Sequence, residues 1–382
     1  MTVRLDDWDR GCLAGDNGPA AQFAMKILVR MGEIRGAARM LDIESAHIDS
    51  CLYHGPVGLE FAERLAGWGA TVRVPTTLNV SSLDLLHPDL YRGDEATAAS
   101  ARRLMELYVS MGCTQTWTCA PYQLSKRPGF GQHIAWAESN AIVFANSVLG
   151  ARTDRYGDFI DICAAITGRA PEAGLHLTSE RAATSFFDVR SLSDRIKTSS
   201  KLYPVLGHVI GRQTGDHVPV ILGLPEEATE DDLKALGAAA ASSGSVALFH
   251  AVGLTPEAES LDAALQGGQP EVFVVVTDEM MNEAASELST AAGARIDAVS
   301  VGTPHMSESE LTRLAELFGD RRVDDHVAFY VSTGRDLVRR REQVVQRLER
   351  SGVQLVTDTC TYITPIMDPS VRVVMTDSAK WA

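Results

Sequence analysis

The sequence is poor in the features that mark several large classes of protein. Among its 382 residues only 6% are aromatic, and six are cysteine (Cys12, Cys51, Cys113, Cys119, Cys163, Cys360). Six cysteines in a chain this long do not make a disulfide framework; in a reducing compartment they read as free thiols, small buried hydrophobes or metal ligands. Positive charge is also scarce, with 35 Lys and Arg against 50 Asp and Glu, a net charge of −15. That balance offers no basic face to nucleic acid or an anionic membrane, so neither is expected as a partner. It does not exclude an anionic small molecule, because local Arg and Lys groups decide that. No uninterrupted apolar run approaches the roughly 20 residues of a membrane span. The opening segment MTVRLDDWDRGCLAG has no apolar signal-peptide core, so a cytoplasmic location is the expectation. A hydrophobic content of 45% is ordinary for a globular protein, and a chain of this length holds two or three domains.

The common catalytic fingerprints are missing as well. There is no GxGxxG after a first strand and no GxxxxGK[ST]; the string Gly207-His208-Val209-Ile210-Gly211 lacks the lysine and the context. No GxSxG elbow, HExxH helix or CxxC pair occurs, which argues against a nucleophile elbow, a zincin and a structural zinc finger. The cysteines stand alone in sequence, as they do in a site assembled across a cleft.

What is present is alternation. In the second half, β-branched runs at Ser245–Phe249, Glu271–Val276, Ile296–Val301, His326–Val331, Val353–Thr357 and Arg372–Met375 are separated by helical patterns at Met280–Ala292, Ser307–Leu317 and Arg335–Arg350. In the first half, strands are expected at Ala46–Cys51, Ala70–Val74 and Thr114–Thr118, and helices at Gly58–Gly67, Glu95–Met111 and Ile134–Leu149. Tyr156–Val189 and Lys201–Gly223 read as connections. The fold class is therefore α/β, with parallel sheets flanked by helices in two or three subdomains around a cleft. The expected division is an N-terminal region 1–200 carrying Cys119 and a doubly wound region 201–382 carrying Cys360.

Ligands of open α/β sheets bind beyond the carboxyl ends of the strands. Those ends nominate Cys51, Thr76, Thr77 and Asn79, then Cys119 and Tyr122, then His250, Thr303, His305, Asp358, Cys360, Ser378 and Lys380. Many Ser, Thr and Asp residues there cap the next helix; that reading leaves the cysteines and histidines unexplained. The segment from His133 through Glu138, Ser139 and Asn140 to Asn146 sets polar groups among Ile, Val and Phe. It is either an amphipathic helix with a solvated stripe or a buried polar face aimed at a ligand, in which Glu138 would act as a general base or support one.

Eight strings carry a resemblance: VPTTLN (74–79), TCAPY (118–122), GQHIAWAESNAIVFANSVLGART (131–153), GHVIGRQTGDHVPV (207–220), HAVGLTPEA (250–258), VGTPHMSESEL (301–311), TDTC (357–360) and TDSAKWA (376–382). In this order, over nearly the whole chain, they resemble the large, catalytic subunit of the aconitase X family. The resemblance implies a dehydratase, a hydro-lyase of the aconitase superfamily, that uses iron, usually as an iron–sulfur cluster held by cysteines. The reactions known in the family are dehydration of cis-3-hydroxy-L-proline and of mevalonate 5-phosphate.

The resemblance makes Cys119 and Cys360 metal ligands. Where the family commonly shows GCPH, however, this chain has Gly302-Thr303-Pro304-His305, and a threonine hydroxyl is a poor soft ligand. Cys113, Cys51 or a carboxylate are the alternatives for completing the set; otherwise the site holds a smaller cluster, a single iron ion or no metal. Expected roles are Glu138 as base, His305 or His133 as the acid that protonates the leaving oxygen, and Ser139, Thr76, Thr77, Asn79, Ser378 and Lys380 as substrate contacts. A small hydroxy acid, cis-3-hydroxy-L-proline before mevalonate 5-phosphate, is the expected substrate. A small swivel-domain subunit is the expected partner, giving a heterodimer. A non-catalytic paralogue that has lost its cluster, or a metal-free enzyme, are the competing readings.

Overall fold

In the first body of the molecule, a long apolar helix packs against a small sheet because its residues at helical spacing have nowhere else to go. The computed structural model describes residues 3–293 and 295–382. The elements of this body are α1 (Asp7–Ala14), α2 (Gly18–Arg35), β1 (Met40–Asp42), β2 (Ala46–Ile48), α3 (Pro56–Gly67), β3 (Thr76–Leu78), α4 (Glu95–Ser110), β4 (Ala135–Trp136), α5 (Ser139–Ser147), α6 (Ile160–Thr167) and β5 (Arg169–Pro171). The strands β3-β2-β4 form a parallel sheet, and β1 pairs antiparallel with β5. Ala24, Met25 and Leu28 of α2 join Ile162 and Ala165 of α6 and Leu104 and Tyr108 of α4 in the core.

The second body runs β6 (Ser185–Asp188), α7 (Asp194–Lys197), α8 (Leu202–Thr214), β7 (Pro219–Leu222), α9 (Glu230–Ser243), β8 (His250–Ala251), α10 (Leu261–Leu265), β9 (Val272–Val275) and α11 (Asp278–Glu287), with a parallel sheet in the order β8-β7-β6-β9. The third runs β10 (Ala298–Met306), α12 (Glu308–Phe318), β11 (Ala328–Thr333), α13 (Arg335–Arg340), α14 (Glu342–Arg350), β12 (Val353–Val356) and β13 (Val374–Met375), with the parallel order β12-β11-β10-β13. Capping boxes open α9 (Thr229 with Asp232) and α12 (Ser307 with Glu310), satisfying amides that would otherwise be orphaned beside the sheets.

The α/β class with parallel sheets matches the expectation, but several boundaries move. The expected division at residue 200 separates β6 from β7, two strands that pair along their whole length; the second body therefore begins before Ser185. The strand expected at Ala46–Cys51 ends at Ile48, which frees Asp49 and Ser50 from the sheet. In place of a strand at Ala70–Val74 the chain pairs at Thr76–Leu78, and Thr114–Thr118 contributes only an isolated bridge from Thr114 to Thr77. The helix expected over Ile134–Leu149 divides into β4 and α5, with Glu138 capping the helix. The strand expected at Ser245–Phe249 lies just beyond it, at His250–Ala251. The presumed connections at 156–189 and 201–223 hold α6, β5, β6, α8 and β7. Gly207 and Gly211 are contact residues of the buried helix α8. A Cβ on Gly207 would stand 2.2 Å from the Leu236 carbonyl oxygen of α9.

Candidate metal centre

Two thiols and an imidazole meet where the first and third bodies face each other. One ligand atom from each of Cys119, His305 and Cys360 lies within 4.8 Å of the others, and all three residues are buried. Each is positioned by its own loop. The amide of Thr118 donates to the Leu78 carbonyl at 3.2 Å, hanging the Cys119 loop on β3. Asn140 of α5 donates its side-chain amide to the Cys119 carbonyl at 2.8 Å, and the Tyr122 hydroxyl donates to the Asn140 oxygen at 3.0 Å. Every residue of α5 from Asn140 to Ser147 is buried, so its polar stripe is a set of satisfied clamps and not a solvated face.

His305 leaves the carboxyl end of β10, and its backbone amide donates to Cys119 Sγ at 3.3 Å. Its Nε2 lies 3.1 Å from the Thr359 carbonyl, which can only accept, so that nitrogen carries the proton. Nδ1 is then the lone-pair nitrogen, 3.1 Å from the Thr118 hydroxyl. A ring whose second nitrogen donates to a backbone carbonyl has the arrangement common to metal-bound histidines.

Cys360 is fixed by Asp358, two residues earlier in a left-handed backbone conformation with φ of 60°. Its carboxylate receives the Arg335 guanidinium at 2.6 and 2.5 Å, and its carbonyl receives the Ser81 amide at 2.7 Å. That contact ties the third body to the first. A hydrogen bond from Cys360 holds the Cys119 thiol down at about 6, against the effect of burial. The same bond, with burial, drives the Cys360 thiol well above its usual range. The pair therefore shares one proton, which a bound cation would displace.

This donor set fits iron, as a single ion or a small cluster held by two thiolates and one imidazole. It does not supply three thiolates. Cys51 and Cys113 lie in the hydrophobic core of the first body, not beside Cys119 and Cys360. Burial raises both thiols far from ionisation. Cys113 as third ligand is thus corrected: it is a packing residue. Thr303 is buried two residues before His305.

Next to the thiols stands an ion pair. Lys380 Nζ lies 2.6 Å from Glu138 Oε1 and 3.4 Å from Ser139 Oγ. Burial opposes the charge on Glu138, but the Lys380 ammonium and the Ala141 amide outweigh it and hold the carboxyl below its usual range. Thr77 and Asn79 lie on the same sheet edge: Thr77 Oγ1 is 2.8 Å from His47 Nδ1, and the Asn79 amide hydrogen-bonds Asp49. Among the described residues the buried Ser378 hydroxyl has no partner. Thr76 turns away, its hydroxyl donating to the Val74 carbonyl at 2.8 Å.

His133 is not brought to this site. It precedes β4 while Glu138 follows it, and its ring meets His176 at 2.9 Å at the opposite end of the strand. The sequence reading treated the segment as one helix, on which His133 and Glu138 would be near neighbours. Asp49, which that reading enclosed within a strand, does face the site; its signal is its place as the first residue after β2.

These features define a class: a three-body parallel α/β protein with a thiol–imidazole centre at the carboxyl edges of its sheets. The chain belongs to the aconitase X family. The models of the aconitase X first, second and third domains match residues 2–179, 183–286 and 296–382. A cis-3-hydroxy-L-proline dehydratase of Pseudomonas aeruginosa is 44% identical over 99% of this chain and 66% of its own length. Another of that name from Hypocrea jecorina is 40% identical over 100% of this chain and 65% of its own. The chain thus spans just under two thirds of these relatives. It spans 93% of the phosphomevalonate dehydratase large subunit of Methanothermobacter thermautotrophicus, at 38% identity. The crystal structure of Thermococcus kodakaraensis aconitase X (holo-form) superposes with a TM-score of 0.88, at 33% identity and covering 99% of this chain and 94% of that one. Among the described residues no helix is long and apolar enough to cross a membrane.

Proposed function

We propose that the chain is the catalytic part of an iron-dependent dehydratase that removes water from cis-3-hydroxy-L-proline or a closely related small hydroxy acid. The observation that carries this reading is the convergence of Cys119, Cys360 and His305 beside the Glu138–Lys380 pair. Two relatives named for that reaction support the substrate.

A bound iron would supply Lewis acidity at the departing hydroxyl. The protein's own residues do the rest. Lys380, fixed by Glu138, presents an ammonium to the substrate carboxylate, and the Ser139 hydroxyl lies beside it. The unpartnered Ser378 hydroxyl adds a donor for charge that develops on that carboxylate as the neighbouring carbon loses its proton. Asn140 and the Thr359 carbonyl keep the ligands in place through the Cys119 carbonyl and the His305 Nε2–H.

Mevalonate 5-phosphate is less well served by this chain. Of the strand-edge cations besides Lys380, Arg73 lies over the Trp8 ring at 3.5 Å, Arg152 donates to the His176 carbonyl at 2.9 Å and Arg212 pairs with Glu287 on the surface. Arg335, beside the Cys360 loop, is taken up by Asp358, so among the described residues none of these cations is left to meet a phosphate at the thiol site. We further propose that a small swivelling domain completes the site, since about a third of the length of the first two relatives lies outside the match and the archaeal ones are named as large subunits.

Anaerobic purification with iron and sulfide quantitation, followed by assay on both substrates with a swivel domain added, tests the reading. Iron that is lost in Cys119→Ser and Cys360→Ser, with turnover of the hydroxyproline, is expected. Full turnover by metal-free protein would sink the metal assignment; turnover of the phosphate ester alone would sink the substrate.

A further inference from the structure

The proposed elimination needs a group to protonate the departing hydroxyl. Of the two histidines expected to do this, His133 lies at the far end of β4, and both ring nitrogens of buried His305 are engaged. The register of the first sheet supplies another candidate. His47 of β2 lies between Thr77 of β3 and Trp136 of β4. Two residues further on, with side chains returning to the same face, the row is Asn79, Asp49 and Glu138. The Asn79 amide to the Ile48 carbonyl and the Ala137 amide to the His47 carbonyl, at 2.9 and 3.2 Å, carry this register past the strand ends. Asp49 is thus the central residue of the row that also holds Glu138, and through it Lys380. We propose that Asp49 is a catalytic acid of this site, donating its proton to the oxygen that leaves the substrate.

The proposal rests on the dehydratase reading. The two carboxyls of the row sit in opposite environments. Glu138 is neutralised by Lys380 and accepts the Ala141 amide at 2.7 Å, so it stays ionised. Among the described residues no cation pairs with Asp49 and its one side-chain partner is the Asn79 amide, while Glu138, past the end of β4, and Asp158 and Asp161 from the α6 side face it with like charge; His47, on its own strand, is buried and neutral. Burial and the Glu138 charge raise Asp49 to about 7. Two neighbouring carboxyls pushed apart in this way take different roles in proton transfer. Asp49 is only partly buried, unlike Glu138, so a ligand in the cleft can reach it.

In the step itself the C–O bond breaks with its electron pair on oxygen. That oxygen takes the Asp49 proton and departs as water. The pair of the C–H bond next to the carboxylate becomes the new double bond as that proton passes to the ionised Glu138 carboxylate, which returns it to solvent, and Asp49 regains a proton from solvent before the next turnover. No oxidation state changes.

The test uses the iron-loaded enzyme with its swivel domain, on cis-3-hydroxy-L-proline and on the 3-chloro analogue, whose leaving group departs without a proton. In Asp49→Asn, kcat on the hydroxy acid should fall by about 10²–10⁴-fold, with KM little changed and with the loss of activity that the wild type shows above about pH 7 removed. Turnover of the chloro analogue should survive, and Asp49→Glu should recover part of the activity. Equal loss on both substrates would mean that Asp49 only positions the site and would overturn the proposal, as would an unchanged kcat. If the wild type itself fails to dehydrate the hydroxy acid, the dehydratase reading falls, and this proposal with it; a fully active wild type with an equally active Asp49→Asn overturns the proposal alone.

Discussion

At the scale of single residues, Thr303 stands where the resemblance implies a cysteine. It is buried near the carboxyl end of β10, directly before Pro304-His305, and it follows Gly302, whose φ of 90° and 2.2 Å Cβ approach to the Ser332 carbonyl leave no room for a side chain. This end of β10 is therefore built to hold one backbone path whatever occupies residue 303. Thr303→Cys should keep that path and add a soft donor near Cys119 and Cys360. Iron retained after anaerobic reconstitution should rise, and the absorption of the iron-loaded protein should shift with the added thiolate; unchanged iron content would place the 303 side chain outside the metal's reach. The carboxyl-edge rule nominated Cys119, Cys360 and His305 from the sequence, with His305 expected as the acid; the structure brings the three together, His305 from within the last residues of a β10 longer than expected. His133 and Asp49 were misread for one shared reason. Both depend on where β2 and β4 stop, and strands of three and two residues are too short for periodicity to bound them.

At the scale of elements, the Cys360 loop is held by a charge pair that has left water. Asp358 is fully buried and Arg335, the first residue of α13, nearly so. Burial raises the Asp358 carboxyl, and the Arg335 guanidinium only partly offsets it. Removing one partner leaves the other charge stranded, which costs about 3–5 kcal/mol, whereas replacing both with apolar groups of similar volume is often neutral. Arg335→Met should therefore lower the midpoint of chemical denaturation and weaken iron retention together. Arg335→Met combined with Asp358→Leu should recover much of the stability but not the iron, because the Leu85 amide that Asp358 accepts would still be lost. Equal stability of single mutant and wild type would show the pair to be dispensable. The ion pair was not legible: 23 residues separate its members, and nothing in their local patterns couples them. Helix α12 was legible, since its apolar face repeats at helical spacing and Ser307 announces it, whereas the single helix expected over Arg335–Arg350 divides at Arg341 into α13 and α14. Helix α8 was not, because buried on most sides it has no polar face to give it a period, and its glycines looked like loop residues while serving its close approach to α9.

At the scale of the whole molecule, the three bodies meet so that the sheets of the first and third turn their carboxyl edges toward one site. Cys119 comes from the first and His305 and Cys360 from the third, joined by the Ser81–Asp358 and Thr118–His305 contacts. On this chain the edge keeps partly exposed groups: Asp49, Thr77, Ser139, Lys380 and Tyr362. Elimination of a poor leaving group is favoured in a water-poor site, where the Lys380 ammonium and the hydroxyl donors act through a lower dielectric and keep their preset orientation. A covering domain that closes over these groups after the substrate enters would provide that environment and prevent water from competing for Lys380. The chain by itself should therefore fold and retain iron yet turn over cis-3-hydroxy-L-proline slowly, and a swivel domain taken from the additional third of a longer relative, supplied in trans, should raise kcat by more than tenfold with little change in iron content. Turnover by the chain alone at the rate of the completed enzyme would mean that its own bodies close the cleft. An increase in bound iron that accounts for the whole rise in rate would mean that the added domain stabilises the metal and does not exclude water.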